Sequence, residues 1–364
     1  VVESARKEFE DTEKMVQTVE KLYGPYRWGR YDILVCPPSF PFGGMENPRL
    51  TFVTPTILAG DKSLVSLISH ELAHSWSGNL VTNKTWRDFW LNEGVTTYVE
   101  NRIQEELFGK ERAAKEYLIE LGELREEMKR LPAADQHLFI DLKGRDPDDG
   151  TTLVPYVKGA SLLRLLEQRV GRAKFDAWIR SYFDEFAFES ITTEQFLQFL
   201  KLRLPESEGI DLQRWVYDAG MPAVVEPAGV FAKVDSAIRD WTPGKPLDTQ
   251  GWVTQEYLRF LRGQPGNLGA ERMKALDDAM KLSATGNAEI LTQWLKMSIA
   301  SGYEPGLARL EGFLTTVGRQ KMVRPLYAEL VKTETGKARA REIFAKARVG
   351  YHPITAEAVA AILK

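Results

Sequence analysis

Two histidines four residues apart, His70 and His74 in the stretch SHELAHSWSGN, bracket a glutamate that directly follows the first. At about 100° per residue, positions i and i+4 differ by roughly 40° around a helix axis, so both imidazoles leave one face, one turn apart. Imidazoles so placed can share one ion. Zinc suits them, because imidazole nitrogen is among its preferred donors and a catalytic zinc takes three protein ligands plus water. Glu71, about a quarter-turn away, can face the open side of the ion without ligating it, which is where a general base belongs. The third ligand must come from another segment. Glu93, in WLNEG near the start of a second helical pattern, reaches the ion if the two helices pack antiparallel. The alternative is a hydrogen-bonded histidine pair in a core, and it explains poorly why a glutamate, costly to bury alone, should follow His70.

The elements around these residues must position them. From Asp61, an N-cap type, KSLVSLISHELAHSWSG repeats apolar residues at Leu64, Ile68, Leu72 and Trp76, with Gly78 placed to stop the helix. WRDFWLNEGVTTYVENRIQEELFG predicts the second helix, with Val95, Val99, Ile103 and Leu107 on one stripe and Gly109 at its end. Ahead of both, YDILVCPPSF and RLTFVTPTIL are short β-branched runs that predict strands, separated by PFGGMENP. Paired glycines there permit close backbone approach to another group, although the stretch also fits a simple turn. The first segment, VVESARKEFEDTEKMVQTVEKLYG, predicts one amphipathic helix using Phe9, Val16, Val19 and Tyr23. It carries neither an initiator methionine nor the apolar core of a signal peptide, so the chain is expected to begin partway through a longer one.

Composition bounds the rest. The 364 residues, 43% hydrophobic and 27% charged, are enough for two domains with sizeable cores. A net charge of −3 with interspersed signs gives no phosphate-tracking surface, so nucleic acid is not an expected partner. No apolar run has the length needed to span a bilayer, and no membrane partner is expected. The lone cysteine, Cys36, reads as a buried strand residue and favours a reducing, cytoplasmic setting. A Pro- and Gly-rich stretch separates the halves, which gives a domain over 1–222, a linker over 223–250 and a helical domain over 251–364. The last third alternates helical patterns with Gly-containing turns, as an α-solenoid does, without a strict repeat.

Four motifs, GGMEN at 43–47, HELAH at 70–74, WLNEG at 90–94 and VPYVKG at 154–159, match in order and spacing the gluzincin aminopeptidases. GDKSL, LVTNKTW, GRQKMVRPLY and HPITAEAV are similar to the leukotriene A-4 hydrolase and aminopeptidase B branch. The resemblance implies a mainly α molecule, with a thermolysin-like α+β zinc-peptidase domain followed by an all-α, solenoid-like one. It implies one zinc per chain held by His70, His74 and Glu93, with Glu71 as the base. Tyr156 becomes the oxyanion stabiliser, where the motif alone fits an amphipathic core residue equally well. Gly43, Gly44, Met45 and Glu46 become the substrate-binding edge, with Glu46 receiving the α-ammonium and Phe42 beside the first side chain. Arg319 and Lys321 are assigned the terminal carboxylate, and Asp148 the substrate tunnel. The implied substrates are short peptides. Phe42 and Thr151 stand where the leukotriene hydrolases carry tyrosines, which weakens lipid-epoxide hydrolysis as an alternative; a non-catalytic binding scaffold is a third. The family's N-terminal β-rich domain has no counterpart here and is an expected partner. His137 and His352, with no companion ligands, read as structural.

Overall fold

The computed structural model describes residues 1–243 and 245–364, the side chains of residues 148 and 149 excepted, so the Asp148 assignment lies outside the described residues. Its organising element is the helix Phe89–Phe108, in which every residue from Trp90 to Gln104 is buried. Val95, Val99 and Ile103 are fully enclosed, as their stripe predicts. Burying each such side chain contributes about 1.5–3 kcal/mol, so an aspartate at Val99 would unmake the centre of the molecule. Against this helix pack Ser66–Ala73, which carries the histidines, and the helices Lys110–Met128 and Gly159–Val170. The last of these comes into backbone contact with it. A Cβ on Gly94 would lie 2.8 Å from the Gly159 Cα and 2.9 Å from the Pro155 carbonyl oxygen, so only glycine fits.

Two local expectations are revised. The N-terminal segment is two helices, Val2–Glu8 and Thr12–Tyr23, with a break where the Thr12 hydroxyl donates to the Phe9 carbonyl. The break lets Glu8 turn inward, and its carboxylate accepts from the Gly60 and Lys62 amides at 2.9 Å each. Asp61 does not cap the histidine helix. It folds its side chain onto the Ser63 amide in a local turn, and the helix starts at Ser66.

The strands form two small sheets. In the first, β1 (Asp32–Val35) runs parallel to β3 (Leu50–Val53), and β2 (Gly44–Met45) is antiparallel to β3 through Gly44 opposite Val53 and Met45 opposite Phe52. GGMEN is therefore an edge strand as well as a turn, and its outer edge has no strand partner among the described residues. The second sheet pairs β4 (Val81–Asn83) with β5 (Glu189–Ile191) in parallel.

A second buried cluster runs from Phe231 to Leu363. The stretch 223–250 contributes to it, because it contains the helix Ala232–Asp240 and buries Phe231, Val234 and Trp241 there. Beyond it the helices alternate between two layers. Thr254–Arg262, Ala288–Ser301, Gln320–Leu330 and Pro353–Ile362 stack in sequence on the inner side, while Glu304–Thr316 packs on Glu334–Ala347 outside. Each helix touches mainly its neighbours, which is the solenoid logic expected from the sequence. The inner layer meets the first half directly, with Thr254–Arg262 against Lys110–Met128.

Candidate active site

The helix Ser66–Ala73 and the start of Phe89–Phe108 bring three donor atoms together. His70 Nε2 lies 3.2 Å from Glu93 Oε2 and 3.2 Å from His74 Nε2, and His74 Nε2 lies 3.5 Å from Glu93 Oε2. The other ring nitrogens are occupied. His70 Nδ1 is 2.9 Å from Glu100 Oε2, and His74 Nδ1 is 3.0 Å from the Ser77 carbonyl, which Thr96 also contacts. With Nδ1 donating in each ring, both Nε2 lone pairs and a carboxylate point at one another, an arrangement that suits a cation between them. A tetrahedron with bonds of about 2.0–2.1 Å has edges of about 3.3–3.4 Å, so the three separations fit zinc.

Electrostatics agrees. Burial disfavours charge on either imidazole, yet Glu100 and Glu93 raise His70 well above the ordinary range, and Glu93 and Glu46 raise His74 to about 9. Burial also opposes the Glu93 carboxylate, and the histidines still draw it down to about 2. The pocket is a field for positive charge.

Glu71 leaves the same helix toward the open side. Its Oε2 is buried and makes no hydrogen bond among the described residues, and burial lifts the carboxyl to about 7 against the pull of His70 and His74. A carboxylate so placed is free to take a proton. Strand β2 passes directly over it: a Cβ on Gly44 would meet Glu71 Oε1 at 2.1 Å. Glu46, at the end of that strand, shares a pocket with Glu71 and His74, one ligating atom of each lying within 4.8 Å of the others. Tyr156 stands in a π-helical turn, Val154–Lys158, with its ring stacked on His70 at 5.9 Å. Burial, then Glu93, Glu46 and Glu71, hold its phenol protonated well beyond the ordinary range, so it stays a donor.

The family model described as Peptidase family M1 domain matches residues 7–215, and that described as Leukotriene A4 hydrolase, C-terminal, matches residues 252–363. The chain belongs to peptidase family M1. It is 38% identical to the Leukotriene A-4 hydrolase of Xenopus laevis over 97% of this chain and 61% of that one. It is 37% identical to Leucine aminopeptidase 2 of Ajellomyces capsulatus over 94% of this chain and 58% of that one. Among solved structures, yeast LTA4 hydrolase in complex with Bestatin superposes with a TM-score of 0.92 at 35% identity, covering 100% of this chain and 64% of that one. The chain thus spans about three-fifths of the length of these relatives. The superposition carries the mainly α architecture expected from the sequence, a zinc-peptidase domain ahead of a helical one, and zinc is the cofactor of this M1 donor set.

The second half of the M1 chain adds Arg319 and Lys321. Arg319 directly precedes the helix Gln320–Leu330, and its Nη1 is 3.3 Å from both Thr56 Oγ1 and Glu289 Oε1. A Cβ on Gly43 would sit 2.9 Å from its Nη2, so the arginine abuts the strap that leads into β2. Lys321 Nζ lies 3.5 Å from Glu289 and 3.7 Å from Glu123. The strap is tied to the same helix start, with the Gly318 amide donating to Pro38 and the Gln320 amide to Pro41.

Several of these partners had no role in the sequence reading. Glu100 was legible in principle, since it lies seven residues after Glu93 and therefore two turns along the same face. Glu123 and Glu289 are brought in by tertiary packing alone. Of the remaining histidines, His352 caps the last helix by accepting from the Ile354 amide, and His137 lies apart from the ligands.

Proposed function

We propose that the protein is a zinc-dependent aminopeptidase that releases the N-terminal residue from short peptides, di- and tripeptides among them. The observation that carries this reading is Glu46, a carboxylate with an oxygen within 4.8 Å of ligating atoms of Glu71 and His74. It matches the α-ammonium of a peptide's first residue.

When bound, zinc lowers the pKa of the attacking water and polarises the scissile carbonyl. Glu71 takes the water's proton and returns it to the leaving amine. Tyr156 donates to the oxygen on which negative charge develops, a contact that strengthens only as the transition state forms. The peptide lies along the free edge of β2, where Gly43 and Gly44 let the strand run close over Arg319 and Glu71 and Met45 and Phe42 stand exposed beside the first side chain. Arg319 and Lys321 receive the terminal carboxylate, and holding both ends selects short substrates. The same site supports a second reading, hydrolysis of a lipid epoxide, which the similarity to the Xenopus hydrolase favours. No helix among the described residues is long and apolar enough to cross a membrane, and the single buried thiol of Cys36 accords with a cytoplasmic setting.

The deciding assay offers free di- and tripeptides, their N-acetylated forms and a lipid epoxide, with and without a chelator. Release of the first residue from free peptides only, lost with the metal and restored by zinc, is expected. Cleavage of internal bonds in the acetylated peptides would overturn the aminopeptidase reading, and turnover of the epoxide alone would replace it with the second.

A further inference from the structure

Glu46 is not held by its own strand alone. Its main-chain oxygen accepts from Asn79 Nδ2 at 2.8 Å, and its carboxylate Oε1 accepts from Asn92 Nδ2 at 3.3 Å. Both asparagines belong to the segments that carry the metal ligands. Asn92 immediately precedes Glu93, and the Asn79 amide donates to the His74 carbonyl at 3.0 Å, closing the turn after the histidine helix.

The Asn92 carboxamide can face only one way. Its side is 7% exposed, and turning it over would set its oxygen against the Glu46 carboxylate. Its Oδ1 instead points at Gly78, where a Cβ would lie 2.0 Å away, and it has no hydrogen-bond partner among the described residues. Gly78 also has a φ of 107°, so the position excludes a side chain by conformation and by space. An unsatisfied buried acceptor is unfavourable by about 1–3 kcal/mol, and here it accompanies a donor aimed at Glu46.

We infer that Asn79 and Asn92 are positioning residues for amine recognition, fixing Glu46 to the two segments that carry the metal ligands. The distance from the substrate's ammonium to the metal is then set by the segments that carry the ligands and not by the edge strand alone. This inference rests on the reading of Glu46 given above.

The test uses the zinc-loaded full chain with Asn92→Ala, Asn79→Ala, Glu46→Gln and the double variant Asn92→Ala with Glu46→Gln. Leucine p-nitroanilide gives KM and kcat, a tripeptide and its N-acetylated form give inhibition constants, and zinc content is measured directly. Loss of a hydrogen bond to a charged group predicts a KM rise of about tenfold for Asn92→Ala, with kcat nearly unchanged. Zinc should remain at one per chain, the free tripeptide should weaken, and its acetylated form should not. In the Glu46→Gln background the asparagine change should add little, because both act through one group. A fall in kcat with KM unmoved, equal weakening of the acetylated tripeptide, or full additivity would overturn the inference. If Asn92→Ala does not fold, Asn79→Ala carries the same expectations. Glu46→Gln that leaves amine discrimination intact would instead remove the reading of Glu46 itself, whatever the asparagines show.

Discussion

The two charged constellations of the molecule are built in opposite ways. The ligand set joins segments 23 residues apart, holds its side chains to at most 13% exposure and brings its donor atoms within 3.5 Å. The Arg319 and Lys321 cluster spans 263 residues to Thr56, is spaced at up to 3.7 Å, and leaves Lys321 49% exposed. Charges in the first are desolvated and act strongly on one another; in the second Arg319 and Glu289 are equally enclosed, at 11% and 13%, and only Lys321 is partly screened by water. On the function proposed above, chemistry falls to the ligand set, and recognition of a substrate's far end to the cluster that keeps one cation facing water.

If that division holds, mutational effects should fall in a definite order. Glu71→Gln should retain zinc and lose about 10²–10⁴-fold in kcat, the range for removing a general base, as measured by peptide release alongside metal analysis. Normal turnover in that variant would dissolve the assignment of chemistry to this pocket. Tyr156→Phe should lower kcat by about 10²–10³-fold with KM nearly constant; an effect confined to KM would move the phenol to the binding side. Glu100→Gln should weaken zinc affinity by about 10–100-fold, read by competition with a chelator, because the histidine loses its orienting partner. Arg319→Ala should raise KM by about tenfold for tripeptides and leave an amide-capped analogue unaffected. Equal losses on both would mean that the open cluster does not read a carboxylate.

A further expected effect concerns stability. Lys158, two residues beyond Tyr156, is fully enclosed and donates to the Gln136 and Asp218 carbonyls at 2.9 Å each. Burial, with Arg214 adding to it, lowers its amine from the ordinary 10.5 to about 8. Between those values the unfolded chain binds a proton that the fold does not, so this group's contribution to stability improves as pH rises through the window. Denaturant unfolding at pH 7.5 and 10 should show the gap between wild type and Lys158→Met shifting in favour of the wild type. A gap that stays fixed would show that the amine is not depressed.

Legibility in the sequence followed contact range. The histidine pair, Glu71 and Glu93 could be read because helical periodicity relates residues a few positions apart, and the ligands need only two helices. Gly109 and the stripe through Val95 and Val99 were visible for the same reason. The split between Val2–Glu8 and Thr12–Tyr23 was not, since it depends on Glu8 bonding backbone amides some fifty residues downstream. Asp61 carried an N-cap signal that a tighter local turn used instead. Glu289 and Glu123 carry no local signature at all, because a surface glutamate and one that holds a cation have the same sequence context.

The contact between Gly94 and Gly159 has a further consequence. Gly94 follows Glu93 in the chain, and Gly159 ends the turn that bears Tyr156, so the spacing between ligand and phenol is set by two main chains touching. Such a contact has no rotamers, so it cannot relax to absorb a neighbouring change. A single methyl at either position would act as a shim, lifting the phenol off His70 while leaving every reacting group chemically intact.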